Sequence, residues 1–133
     1  MKKLLSILCI AVIGLTASSC KKETIVAPNN NQTIIQSVNS SAWVSTDGGA
    51  TYAVDLDVPE IDSYANDNYA ILVYISFTNG VWEQVPEVYQ GNAFSFTHNP
   101  GFVSLYAQRA DGAQAATRPD NMQVKIVLVD SQP

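Results

Sequence analysis

The chain reads as an all-β domain, an antiparallel two-layer β-sandwich of about seven or eight short strands, and three observations predict it. Apolar residues alternate with a period of two almost everywhere after residue 32. No stretch of 3.6-residue periodicity is long enough for a helix, and Gly, Pro and Asn punctuate the chain at short intervals. The expected layering is immunoglobulin-like, without an inter-sheet disulfide because no cysteine follows Cys20. A small barrel is the alternative way to close the same strands.

Residues 1–19 open on Lys2 and Lys3, run through an apolar stretch and end on small side chains, the layout of a secretory signal. The apolar run is too short to span a bilayer with ease. Ala17, Ser18 and Ser19 suit the narrow subsites of a signal peptidase, and Leu15-Thr16-Ala17-Ser18-Ser19-Cys20 resembles the bacterial lipobox. The chain thus resembles the lipoproteins as a class. That resemblance implies a diacylglycerol thioether on the Cys20 sulfur, cleavage before Cys20 and a third acyl chain, such as palmitate, on the new amino terminus. Each buried methylene contributes roughly 0.8 kcal/mol and a single chain holds only marginally, so two or three make attachment to the membrane permanent. The same residues also fit an uncleaved N-terminal membrane helix, or a plain secretory signal with an incidental cysteine.

Residues 20–32 then form a polar, asparagine-rich tether, with a reach of about 20 Å as a flexible coil. Lys21, Lys22 and Glu23 partly resemble the surface-export signal of Bacteroidota-type lipoproteins. An ordinary solvated linker on an outer-membrane protein is the other reading. Cleavage leaves about 114 residues, 20–133, enough for one domain and one core. The chain has 7 Lys+Arg and 12 Asp+Glu; losing Lys2 and Lys3 leaves five against 12, a charge of about −7. So acidic a surface does not bind nucleic acid through charge. Cys9 leaves with the signal and Cys20 carries lipid, so the fold, at 33–133, stands on packing alone.

Within that domain, residues 33–38 are the first strand and 41–45, carrying Trp43, a short second one. Asp47-Gly48-Gly49 turns the chain into 51–58, where Tyr52, Val54, Leu56 and Val58 share one face and Ala53, Asp55 and Asp57 the other. Pro59 ends it for want of an amide donor. Residues 69–77 are nearly all apolar, as befits a central strand, and Asn79-Gly80 is the strongest hairpin signal in the chain. A two-residue loop there sets Phe77 opposite Trp82, Ile75 opposite Gln84 and Tyr74 opposite Val85, placing Trp82 on the core face. The turn Asn99-Pro100-Gly101-Phe102 pairs Phe96 with Leu105 and Phe94 with Ala107, with His98 on the same face near the turn. After a loop at 111–121, residues 122–130 close the domain, with Val124, Ile126 and Leu128 alternating with Lys125, Val127 and Val129.

Val58-Pro59-Glu60-Ile61, Val73-Tyr74, Trp82 ahead of Val85-Pro86, and the closing Val124-Lys125-Ile126-Val127-Leu128 resemble a set of small, β-rich bacterial lipoproteins of the Bacteroidota type. The resemblance covers most of the mature chain. It implies the fold and carries no activity.

Catalysis needs a nucleophile, a base within hydrogen-bond reach and an orienting group. His98 is the only histidine and no Gly-x-Ser-x-Gly elbow is present, so no catalytic residue is expected and His98 reads as a hairpin residue with its tip in water. Asp55 and Asp57 share a strand face predicted to be wet, which suits a solvated pair better than an acid and base on a glycosidic bond. Asp55, Asp57, Glu60, Asp62 and Asp67 carry oxygens but lack calcium-loop spacing, and Pro59 interrupts them; no metal or other cofactor is expected. The aromatics beside asparagine-rich loops remain. Trp43 and Trp82 read as structural, whereas Tyr64, Tyr89 and Tyr106 are the candidate ligand-facing rings, suited to sugar faces. The expected protein is a lipid-anchored, non-catalytic binding or accessory module of the outer membrane, on its periplasmic face or at the cell surface, with a glycan or an envelope protein as partner. An envelope structural or assembly factor is the alternative, and a small hydrolase the third reading.

Overall fold

The computed structural model describes residues 29–113 and 115–131; the signal segment with Ala17, Ser18 and Ser19, the lipidation candidate Cys20 and the tether up to residue 28 lie outside them. Two antiparallel four-stranded sheets face each other. One runs β1 (Gln32–Val38), β8 (Met122–Asp130), β3 (Tyr69–Thr78), β4 (Val81–Gln84). The other runs β2 (Thr51–Val58), β7 (Gly101–Arg109), β6 (Asn92–Asn99), β5 (Glu87–Tyr89). Neither sheet closes on the other, so the molecule is a sandwich and not a barrel. The layering is the immunoglobulin-like one expected, but the strand order is not: β1 and β2 lie in opposite sheets, where an immunoglobulin order sets its first two strands side by side.

Strict alternation makes the core. Val124, Ile126 and Leu128 of β8, Val73 and Ile75 of β3 and Val103 and Leu105 of β7 have no solvent access at all, and they pack across the gap between the sheets. β8 pairs along its length with both β1 and β3, which makes it the middle of its sheet although it comes last in the chain. The β6–β7 register is the expected one, Phe94 with Ala107 and Phe96 with Leu105, around a turn in which Gly101 takes φ 88°. Only glycine enters that region without strain.

Three expectations are corrected. The strand expected at 41–45 is a 3-10 turn, Ser40–Ala42, followed by a single bridge between Val44 and Ala53. The in-and-out alternation of Trp43 and Val44 is real, but the segment serves to drop Trp43 into the core, edge-to-face with Phe94 at a centroid separation of 6.2 Å. A short helix, α1 (Ser63–Asn68), occupies a region read as loop. Its N-cap is Asp62, whose carboxylate accepts from the Ala65 amide at 2.7 Å, satisfying one of the donors a helix start leaves over.

The third correction concerns register in the β3–β4 hairpin. Thr78 pairs with Val81 across Asn79-Gly80 as expected, but Ile75 then pairs with Glu83 and Tyr74 with Gln84. Ser76 and Phe77 together oppose Trp82, a β-bulge, and a slip of one residue sends every side chain beyond it to the other face. Phe77 points inward and stacks on Tyr89 of the opposite sheet, with centroids 4.4 Å apart and planes 4° apart. Trp82, expected in or at the rim of the core, is turned out of it.

Packing predicts a sharp contrast within one sheet. Ile126→Ala, at a site with 0% exposure, should lose about 2–5 kcal/mol in urea unfolding. Ile35→Ala, at a site 56% exposed, should stay within about 0.5 kcal/mol of the parent. Equal losses at the two positions contradict the assigned faces.

Candidate functional site: an aromatic platform beside an amide-lined groove

β8 and β3 turn their second faces outward. Lys125 lies between buried Val124 and Ile126 and therefore points out; Tyr74 is its cross-strand partner, and Gln84 pairs with Tyr74 in turn. The Lys125 ammonium stands 4.6 Å from the ring centroid of Tyr74 and 4.6 Å from that of Trp82. Each such cation–π contact at an exposed site is worth about 0.5–1 kcal/mol. One lysine thus contacts two half-buried rings on the outer face of the sheet.

One row further along, Ser37, Gln123 and Ser76 stand side by side across β1, β8 and β3. Together with Asn39, Asn79 and Asn121 they line an open groove of about 460 Å³ where those strands end. The Ser76 hydroxyl donates to the Thr78 carbonyl at 2.7 Å, and Asn121 accepts from the Ser40 amide at 2.7 Å. Among the described residues, the side chains of Ser37, Asn39, Asn79 and Gln123 make no hydrogen bond. The bulge joins the two features, since Trp82 of the platform lies opposite Ser76 and Phe77 of the groove.

The three tyrosines singled out from the sequence are not brought together. Tyr64 sits on α1, 57% exposed, edge-on to Tyr69 at 6.0 Å. Burial first, then the nearby Asp130 carboxylate, raises the Tyr69 hydroxyl above its ordinary range. Tyr89 is occupied by its stack on Phe77. Tyr106 is on the outer face of the other sheet, its hydroxyl 3.2 Å from that of Thr97, beside a second groove of about 380 Å³ that Thr46, Asp47 and Asp55 help to line. His98 is half-buried, not tipped into water: its Nδ1 lies 2.9 Å from Oδ1 of Asn66 on α1.

The carboxylates disperse likewise. Asp55 accepts from the Ser104 hydroxyl at 2.6 Å, Asp62 caps α1, and Asp67 accepts from the Asn66 amide at 3.0 Å. Among the described residues no group of three His, Cys, Asp or Glu side chains is placed to hold a metal ion, and no helix is long and apolar enough to cross a membrane.

The groove shares its end of the sandwich with a stitched set of loops. Buried Asn92 donates to the Thr117 carbonyl at 2.6 Å and accepts from the Thr117 amide at 3.2 Å, so one side chain serves both polar groups of a loop residue. The Ala116 amide donates to the Gly49 carbonyl at 2.7 Å, and the Arg118 guanidinium lies 5.4 Å from the Tyr52 ring centroid. Arg109 pairs with Asp111 at 2.5 Å at the loop's start. The chain enters β1 at the opposite end, where Asn30 donates to the Asp130 carboxylate at 3.0 Å and Asn31 accepts from the Asp130 amide at 3.0 Å.

No family model, no curated protein and no solved structure matches this chain.

Hydrogen bonds from Arg109, then from the Ala113 amide, hold the Asp111 carboxyl down at about 2. A lowered carboxylate pKa stabilises the fold above the unfolded value of 3.8, and that contribution is lost as pH falls toward 2. An NMR titration should therefore show Asp111 protonating near pH 2, and Arg109→Gln should return it toward the ordinary range. An unmoved midpoint in Arg109→Gln contradicts the pairing.

Proposed function

We propose that the protein is a lipid-anchored, non-catalytic recognition module of the outer membrane, tethered through Cys20 and presenting the far end of its sandwich. The observation that carries this reading is the polarity of the domain. The chain arrives at Gln32, while the groove and its loops gather around Val38 and Met122, at the other end of β1. Six residue steps of strand separate the two, about 20 Å. Gln32 belongs to β1 and Asn30 and Asn31 are bonded to Asp130, so the expected tether shortens to 20–29, which as a flexible coil adds about 17 Å. Under this reading the open, polar end of the molecule stands away from the lipid, where a partner meets it.

A second reading, a structural or assembly factor of the envelope, draws on one observation. Ile35, beside Lys125 in the platform's own row, is exposed, and Leu72 and Val127 in the next row toward the tether are half-buried. That apolar patch suits contact with another envelope component.

The lipid anchor is tested by expressing the full chain and its Cys20→Ala form in a bacterial host and following labelled palmitate. The parent should incorporate label and sediment with outer membranes, and Cys20→Ala should do neither. Protease shaving of intact cells then assigns the face: cleavage on whole cells places the domain at the surface, and cleavage only after lysis places it in the periplasm. A Cys20→Ala form that still sediments with membranes contradicts the anchor.

A further inference from the structure

Resting on that recognition reading, we propose that the Tyr74–Trp82 platform and the groove beside it bind a neutral glycan chain. The two features differ in chemistry and adjoin in space, which is what a sugar chain requires. A pyranose has an apolar face of C–H groups that covers an aromatic ring, and a rim of hydroxyls that each need a donor or an acceptor. The platform supplies the rings. Lys125 lies against both rings and favours their joint presentation on the outer face. The groove supplies the amides and hydroxyls, and four of those side chains have no internal partner among the described residues. Amides carry both donors and acceptors without charge, matching hydroxyls that are both at once.

Size and charge narrow the ligand further. From β4 to β1 the site crosses four strands, a span of about 14 Å at ordinary strand spacing, so it takes a chain and not one ring. The groove volume of about 460 Å³ falls within the roughly 300–1,000 Å³ common for small-molecule sites. The mature chain carries about seven net negative charges, which repel acidic polymers, and Lys125 is the one cation of the site among the described residues. A neutral glycan meets no such penalty. The polar lining also disfavours an apolar peptide, whose burial would leave the groove's amides unpaired.

The test is intrinsic fluorescence and calorimetry on the full chain in detergent, titrated with neutral hexasaccharides: β-1,4-, β-1,3- and α-1,4-linked glucose, β-1,4-linked mannose and β-1,4-linked xylose. Trp43 is buried and Trp82 half-exposed, so acrylamide quenching resolves them. At least one hexasaccharide should bind and shield Trp82 from acrylamide. Trp82→Ala should weaken that binding at least tenfold and Gln123→Ala about threefold to tenfold, while Tyr64→Ala and Tyr106→Ala leave it unchanged. Tyr74→Phe, which keeps the ring, should retain it. Failure of the whole panel to bind, or binding that survives Trp82→Ala with the fold intact by circular dichroism, overturns the glycan proposal. A protein crosslinked through a photoreactive group at position 82, with no sugar bound, also overturns it but leaves the recognition reading standing. Loss of the Cys20 anchor touches that broader reading and not the sugar site.

Discussion

Val124, Ile126 and Leu128 hold the molecule together, because β8 lies between β1 and β3 and its inner face belongs to the core the two sheets share. A strand with a period of two has no freedom once one face is buried: Lys125 and Gln123 must point outward if their neighbours point in. The outer platform is in that sense a consequence of the core. Burial fixes β8, β8 fixes the register of β3, and the two strands together place Tyr74 beside Lys125 and Ser76 beside Gln123.

Against this regular background one irregularity sets the chemistry of the surface. Without a bulge, Trp82 would oppose Phe77 and go inward, adding a large ring to a core that already holds Trp43, Phe94 and the Phe77–Tyr89 stack. The bulge leaves Phe77 in the core and gives the surface Trp82. Bulges are recurrent where a side chain has to be re-aimed near a binding site. The buried Ser76 hydroxyl, bonded to the Thr78 carbonyl, satisfies a polar group where the ladder is broken.

Most of the sandwich was legible because its strands alternate cleanly. The 51–58 and 122–130 strands and the β6–β7 register could be read from side-chain period and turn residues alone. The bulge could not, since Asn79-Gly80 specifies the loop and says nothing of the ladder beyond its first pair, Thr78 with Val81. For the same reason the candidate site was missed: Lys125 was visible as an outward residue, but its two aromatic partners depend on Trp82 facing out. α1 is shorter than two turns, so no periodicity announces it, although Asp62 followed by Ser63, Tyr64 and Ala65 is a fair N-cap signal. Once α1 is missed, so is the bond between His98 and Asn66, 32 residues apart in sequence. The 41–45 segment shows the opposite failure, an alternating pattern produced by one buried tryptophan and not by a ladder.

The face that Trp82 presents decides between a plain sandwich and one with a built recognition surface. Two-dimensional NOE spectroscopy on the Lys125 ε-methylene protons tests it most directly. These protons should be shifted upfield by the two rings and show cross-peaks to both Tyr74 and Trp82. Unshifted Lys125 resonances, with Trp82 cross-peaks to Ile71 and Val73, would instead place the indole in the core and remove the platform.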